Sequence, residues 1–210
     1  MDPNTLANIR TLFVVVIALF ISLRAFYIYG NARSPRLFIL ALSMLIIVLT
    51  TTLDTMGDNF KNLHLNSYWY NYFGQDTTFF FIILSLSRSK NTYLQQLMRW
   101  QVMISLLLLV LVILGPTFPT TFPSLGVIRA ILSSSRGIFC LIIFCFYFSA
   151  FVSKESRFSL LMAGAFLLLG VGYIVGFPRY ILPHQDLLQT TGDIIRILGF
   201  STLLTAVLSG

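Results

Sequence analysis

Apolar residues in this chain come in long runs rather than in strict alternation. Seven stretches, about 11–29, 37–56, 67–87, 100–114, 125–152, 158–177 and 188–208, are apolar with few charges. A helix needs about 20 such residues to cross the hydrocarbon of a bilayer, so each stretch reads as a span. Polar or helix-breaking clusters separate them, among them Gly30 to Pro35, the Gly115-Pro116 pair with the Pro-Thr-Phe repeat behind it, and Pro178 with Pro183. The pattern predicts an all-α integral membrane bundle of seven helices. It forms a single domain over 1–210, with no loop long enough to fold on its own. The first run reads as an uncleaved helix, because it continues to Tyr29 without a small-residue cleavage site.

Composition agrees. The chain is 57% hydrophobic and 10% charged, whereas a soluble domain carries about 25% charge. The formal net charge of +7 is spread over short loops rather than gathered in a patch, so nucleic acid is not an expected partner. Those loops set an orientation. The connections after the first, third and fifth runs hold Arg24, Arg33, Arg36, Arg88, Lys90, Arg99, Lys154 and Arg157. The other set holds Lys61 and Arg179, plus Arg10 if the N-terminus is included. Basic loops stay in the cytoplasm. The N-terminus is therefore expected outside and the C-terminus inside, in the plasma (inner) membrane.

Against this apolar background the fifth run stands out. It carries Arg129 and Arg136 with Ser133, Ser134 and Ser135 between them. Seven residues is two helical turns, which puts both guanidinium groups on one face with Ser133 between them. A charged side chain within the hydrocarbon costs about 2.5 to 3.5 kcal/mol on insertion scales unless it is paired or hydrated. In the expected topology Asp76, Asp193 and Arg196 share the outer half of the bundle with these arginines, and Gln75 and Thr77 flank Asp76. Asp54 and Asp58 cap the outer end of the second helix, and Trp69 and Tyr72 belong to an aromatic cluster, Tyr68 to Phe73. One reading is an outer-facing polar pocket. Its three arginines outnumber its two aspartates, which suits a carboxylate or phosphate ligand. Arg129, Arg136, Arg196, Asp76, Asp193, Ser133 and Gln75 would line it, and Asp54, Asp58, Trp69 and Tyr72 would form its rim. The other reading is a set of interhelical salt bridges beneath an interfacial aromatic belt.

The remaining candidates carry less chemistry. His64 and His184 both fall in outer loops and could ligate haem or a metal. No Cys or carboxylate cluster completes a zinc spacing, so they read as solvated loop residues, and no cofactor or metal is expected. Cys140 and Cys145 point to different sides of one helix, which argues against a disulfide. Gly164, Gly170, Gly172 and Gly176 read as close-packing positions of the sixth helix, with Gly172 and Gly176 a small-xxx-small pair. The seventh run has no Lys for a retinal Schiff base. There is no His-Glu-x-x-His and no Gly-x-Ser-x-Gly, so an enzyme is not expected in these helices.

The last run, Gly192-Asp-Ile-Ile-Arg-Ile-Leu-Gly and its apolar exit to Leu208, resembles the final helix of prokaryotic seven-helix membrane sensor modules. Those modules precede histidine kinase or diguanylate cyclase domains, and Asp193, Arg196 and Gly199 are the matching positions. The resemblance implies a bacterial receptor module that binds a small, anionic ligand and signals to a cytoplasmic output domain or protein. The chain stops at Ser209-Gly210. The expectation is therefore either a longer natural protein or a stand-alone module working through a partner, with a homodimer as a further option. The alternative is a small seven-helix transporter or channel for a polar or anionic solute. Its fourth span would act as a linker between two three-helix repeats, although no repeated motif is visible in the sequence.

Overall fold

The computed structural model describes residues 3–59, 67–88, 90–114, 125–180 and 186–209. All of the regular structure in them is helical: α1 (Pro3–Ala32), α2 (Pro35–Asn59), α3 (Ser67–Ser87), α4 (Asn91–Leu114), α5 (Leu125–Lys154), α6 (Arg157–Gly176) and α7 (Asp186–Ser209). A short 3-10 turn, Phe177–Tyr180, follows α6. Among the described residues, five stretches are long and apolar enough to cross a membrane: Asn8–Ala32, Pro35–Met56, Val127–Lys154, Arg157–Gly176 and Leu187–Ser209. Leu12, Phe13, Phe20 and Leu23 of α1 and Ile131, Ile138 and Phe148 of α5 are large, apolar and exposed. On helices long and apolar enough to span a bilayer, such a surface suits contact with lipid. The chain is a multi-pass membrane protein.

The helices outrun the apolar stretches that signal them. α4 begins at Asn91 rather than near Trp100, because polar residues such as Gln95 and Gln96 continue a helix without adding hydrophobicity. α1 likewise begins at Pro3, which places Arg10 inside a helix rather than in a tail.

Two connections use the same device. Arg33 at φ 49° ends α1, and Glu155 at φ 48° ends α5. Each donates its N–H four residues back, Arg33 to the Tyr29 carbonyl at 2.8 Å and Glu155 to the Phe151 carbonyl at 2.7 Å. This left-handed residue satisfies an end carbonyl and reverses the chain. Ser34 and Ser156 follow, and their carbonyls accept the first bonds of α2 and α6. Pro35 suits the first position of α2, where its missing N–H has no helical acceptor to lose.

Contacts close a ring in the order α1, α2, α3, α5, α6, α7 and back to α1, while α4 touches only α2 and α3 among the described residues. The ring is thus two triplets, α1-α2-α3 and α5-α6-α7, of the same connectivity and the same running directions. They meet at two seams, α3 against α5 and α7 against α1. All six ring helices feed one core, with Ile21, Met44, Phe79, Ile143, Phe166 and Leu203 at its centre and no residue from α4. α4 docks on the outside through Ile39, Phe81 and Leu97. There Gln101 Nε2 donates to the Ser43 hydroxyl at 2.9 Å and to the Ile39 carbonyl at 3.2 Å.

Within each triplet the third helix sits tightly on the second. A Cβ on Gly74 of α3 would lie 2.5 Å from Thr50 Cγ2 of α2. One on Gly192 of α7 would lie 2.8 Å from the Gly172 carbonyl oxygen and 3.0 Å from the Gly176 nitrogen of α6. Of the glycines expected to pack, Gly170 meets Leu141 and the Gly137 carbonyl, and Gly172 meets Arg196 and Gly192. At Gly164 a methyl would have nothing within 4 Å, so there the expectation is corrected, whereas Gly176, though open at its own Cβ position, brings its nitrogen and Cα close to Gly192. Gly176 matters only through the backbone it lends to Gly192.

Candidate functional site

The ring is filled by side chains along most of its length but opens at the end where α1, α3, α5 and α7 begin. The cavity there has a volume of about 450 Å³, within the roughly 300–1,000 Å³ of small-molecule pockets. Its shape follows from helix phase. Residues near the helix ends form a polar rim, from Asn8, Arg10 and Thr11 of α1 to Asp54 and Thr55 of α2, Asn71 of α3, Arg129 of α5 and Gln189 and Asp193 of α7. One to two turns deeper on the same helix faces lie Val14, Ile47, Gln75, Arg136, Ile197 and Phe200, joined by Tyr173 of α6.

Arg136 organises the deep end. It is 4% exposed, and its donors are placed one by one. Nε donates to the Leu132 carbonyl at 3.2 Å and faces Asp76 Oδ1 at 3.6 Å. Nη1 donates to Gln75 Oε1 at 2.6 Å. The Cζ atom lies 4.7 Å from the ring centre of Tyr72 and 5.4 Å from that of Tyr173, close enough for both ring faces to attract the cation. Nη2 is buried and has no hydrogen-bond partner among the described residues. A buried donor without an acceptor costs about 1–3 kcal/mol, more when charged.

Gln75 is the hub of a polarised chain. Its Oε1 accepts from Arg136 and from the Tyr173 hydroxyl at 3.3 Å. Its Nε2 donates to Asn71 Oδ1 at 2.6 Å, and Asn71 Nδ2 donates to Asp54 Oδ2 at 2.6 Å. Every dipole in the line points from the arginine toward the carboxylate. The series fixes both side-chain amides and ties α5 through α3 to α2. At the opposite wall Asp193 joins two arginines: Oδ1 pairs with Arg196 one turn on, and Oδ2 lies 3.4 Å from Arg10 Nη1 of α1. Arg196 also stands over the Tyr173 ring, 5.1 Å from its centre.

The residues read from the sequence divide accordingly. Arg129, Arg136, Arg196, Asp193, Gln75, Asp54 and Tyr72 line one cavity, as the shared face of Arg129 and Arg136 implies. Asp76 does not line it. It stands behind Arg136 and accepts from Ser135 Oγ at 3.0 Å. Ser133 is buried without reaching the cavity. The serine that serves the site is Ser135, which sits 100° around the helix from Arg136 and faces α3. The side chains of Asp58 and Trp69 lie outside the described residues, as do His64 and His184. Cys140 is fully buried in the core, and both cysteines are free.

Arg10, Tyr173 and Asn71 are not legible from the sequence as site residues. Arg10 looks like a terminal charge until α1 is extended to Pro3. Tyr173 sits in the most uniformly apolar helix, and only its depth opposite Arg136 distinguishes it. No family model, no curated protein and no solved structure matches this chain.

Proposed function

We propose that the protein is a membrane receptor or sensor module that binds a small anionic ligand in this pocket and passes the event to a cytoplasmic output domain or partner protein. One observation carries the reading: four arginines, Arg10, Arg129, Arg136 and Arg196, line a single cavity with only two aspartates, Asp54 and Asp193, among its described lining residues. Arginine binds carboxylate and phosphate through paired N–H groups, and more strongly away from water.

In this proposal all seven helices cross the membrane. The connections at 33–34, 88–90 and 155–156 gather at the end opposite the pocket, with Arg33, Arg36, Arg88, Lys90, Lys154 and Arg157 in or beside them. Arg36 there donates to the Ser85 carbonyl at 3.1 Å. The positive-inside rule assigns that end to the cytoplasm and the pocket to the outside of a bacterial plasma membrane. An entering anion competes with Asp193 for Arg10 and Arg196. Signalling requires that two helix arrangements bind it unequally. α7 is the element placed to report this, since it holds Asp193 and Arg196 near one end and leaves the bundle at the other.

Spin labels at Arg33→Cys and Ser209→Cys test the proposal in nanodiscs. A distance change on adding acetate, phosphate or succinate is expected for at least one of them. Binding without any change would remove the signalling claim.

A second reading is favoured by one observation: the triplets share connectivity and direction, with α4 outside the ring. Transporters built from parallel repeats place the substrate between the two units. Proteoliposome uptake of an anion that is abolished by Arg136→Ala would establish it.

A further inference from the structure

We propose that the corner where α3 ends and α4 begins, at the end of the bundle opposite the pocket, binds an anionic phospholipid. Arg36, Arg88 and Lys90 hold its phosphate, and its acyl chains lie along the exposed face of α4. The proposal is independent of what the pocket binds and of which leaflet this end faces.

Three observations select it. The first is unopposed charge. Arg36, Arg88 and Lys90 are exposed, as is Arg99 eight residues into α4. None of the four is in an ion pair among the described residues. The nearest acid on α3 is Asp76, eleven residues short of Ser87 and so about 16 Å away along the helix. α4 carries no acid, and Glu155, in the turn between α5 and α6, pairs with none of these cations. Clusters of about four or more such residues at a bilayer surface gather anionic headgroups.

The second observation is that the cations are held together. Arg36 Nε donates to the Ser85 carbonyl at 3.1 Å and Nη2 to the Arg88 carbonyl at 3.4 Å. Both acceptors are neutral, so they anchor the guanidinium of α2 at the end of α3 without cancelling its charge. The Arg88 guanidinium carbon stands 5.3 Å from the centre of the Tyr93 ring. Lys90 lies between these two residues in the chain, and its carbonyl accepts from the Leu94 N–H as α4 begins. A phosphodiester, with one charge shared by two free oxygens, suits several donors gathered in this way. The third is depth. Arg99 and Trp100 lie about 12 Å along α4 from its start, and a tryptophan at that level is typical of the membrane interface. The Arg99 stem lets its charge rise toward the phosphates. Trp100, Met103, Leu106 and Leu107 are each more than half exposed. A free phosphate or an acidic soluble protein would use the charges and leave this face out of the complex, whereas a phospholipid uses both.

The test uses the full chain in liposomes. Trp69 and Trp100 are its only tryptophans, so Trp69→Phe leaves Trp100 as the fluorescent reporter of the α4 face. In equimolar phosphatidylcholine and phosphatidylglycerol, the same amount of acyl-chain bromine is placed on one lipid or the other, and quenching of Trp100 is compared. Brominated phosphatidylglycerol is expected to quench at least twofold more strongly. Arg88→Gln/Lys90→Gln should bring the ratio close to one. Lys154→Gln/Arg157→Gln, which removes two charges from the turn between α5 and α6, should leave the ratio unchanged. So should sodium phosphate, set against sodium chloride of equal ionic strength. Equal quenching by the two lipids, or a preference that survives Arg88→Gln/Lys90→Gln, would overturn the site. A preference lost equally in Lys154→Gln/Arg157→Gln would overturn it too, as the diffuse attraction of any basic end. A preference abolished by phosphate but not by chloride would give the corner to free phosphate instead of lipid. If Trp69→Phe does not fold, native mass spectrometry of the wild type and the two double variants, counting each lipid retained, makes the same comparison with the same outcomes.

Discussion

Asp193 of α7 holds Arg10 of α1 at 3.4 Å through one carboxylate oxygen while its other oxygen pairs with Arg196. Across the ring, Asp76 of α3 holds Arg136 of α5. In both cases an arginine from the first helix of one triplet meets an aspartate from the third helix of the other. Each seam is therefore crossed by an ion pair, whereas within each triplet a glycine lets the third helix close on the second.

Removing Asp76 should be expensive. Asp76→Asn leaves Arg136 buried with its charge unopposed at Nε, and breaking a buried pair from one side costs about 3–5 kcal/mol. Thermal unfolding in nanodiscs should show a large drop in midpoint. The double variant Asp76→Asn/Arg136→Gln should recover most of it.

Arg10→Gln should be mild by contrast. Both partners of this pair keep some solvent access, and Arg196 remains to neutralise Asp193, so a loss of about 1 kcal/mol or less is expected. The loss should shrink as salt is raised, because water reaches this pair. A salt titration of the unfolding midpoint, wild type against variant, checks it.

Gly192→Ala should separate α6 from α7. The new methyl would lie 2.8 Å from a backbone oxygen that cannot swing away, and overpacking of this kind costs about 1–3 kcal/mol. Gly164→Ala, with open space around it, should be neutral or stabilising by up to about 1 kcal/mol through helix propensity. Gly192→Ala should lower the unfolding midpoint and Gly164→Ala should hold or raise it; equal losses would contradict the packing described.

Gln101→Ala should lower stability by about 1–3 kcal/mol, since it empties a buried site and removes the donor to the Ser43 hydroxyl, which keeps its own bond to the Thr78 carbonyl. It should leave anion binding within twofold of wild type. A large binding defect would mean that α4 communicates with the cavity.

The helices are legible in the sequence because hydrocarbon thickness imposes a run length that apolar side chains announce directly. The paired positions of Arg129 and Arg136 are legible too, since seven residues of helix leave little choice of face. Asp76 is harder. Its sequence position gives its depth, but only the angle between α3 and α5 decides that it backs Arg136 instead of lining the cavity. The choice between Ser133 and Ser135 fails for the same reason: spacing relates residues to their own helix and not to the neighbour. The order of helices around the ring leaves no mark in the sequence. Lipid-facing and core-facing surfaces are both apolar, so the one-sided apolar stripe that orients a helix in water is missing here. The likeness of the two triplets is carried by a left-handed residue before a serine and by one glycine near an aspartate, too few positions to read as a repeat.

The position of α4 is a matter of parity. Three helices take a chain from one end of the bundle to the other, so a second triplet joined directly to the first would run upside down. It would bring its aspartate and arginine to the wrong end. One extra passage restores the direction, and α4 makes it along the outside of α2 and α3 without lending a residue to the cavity. A helix with no part in the site is thus what lets two like halves face each other across it.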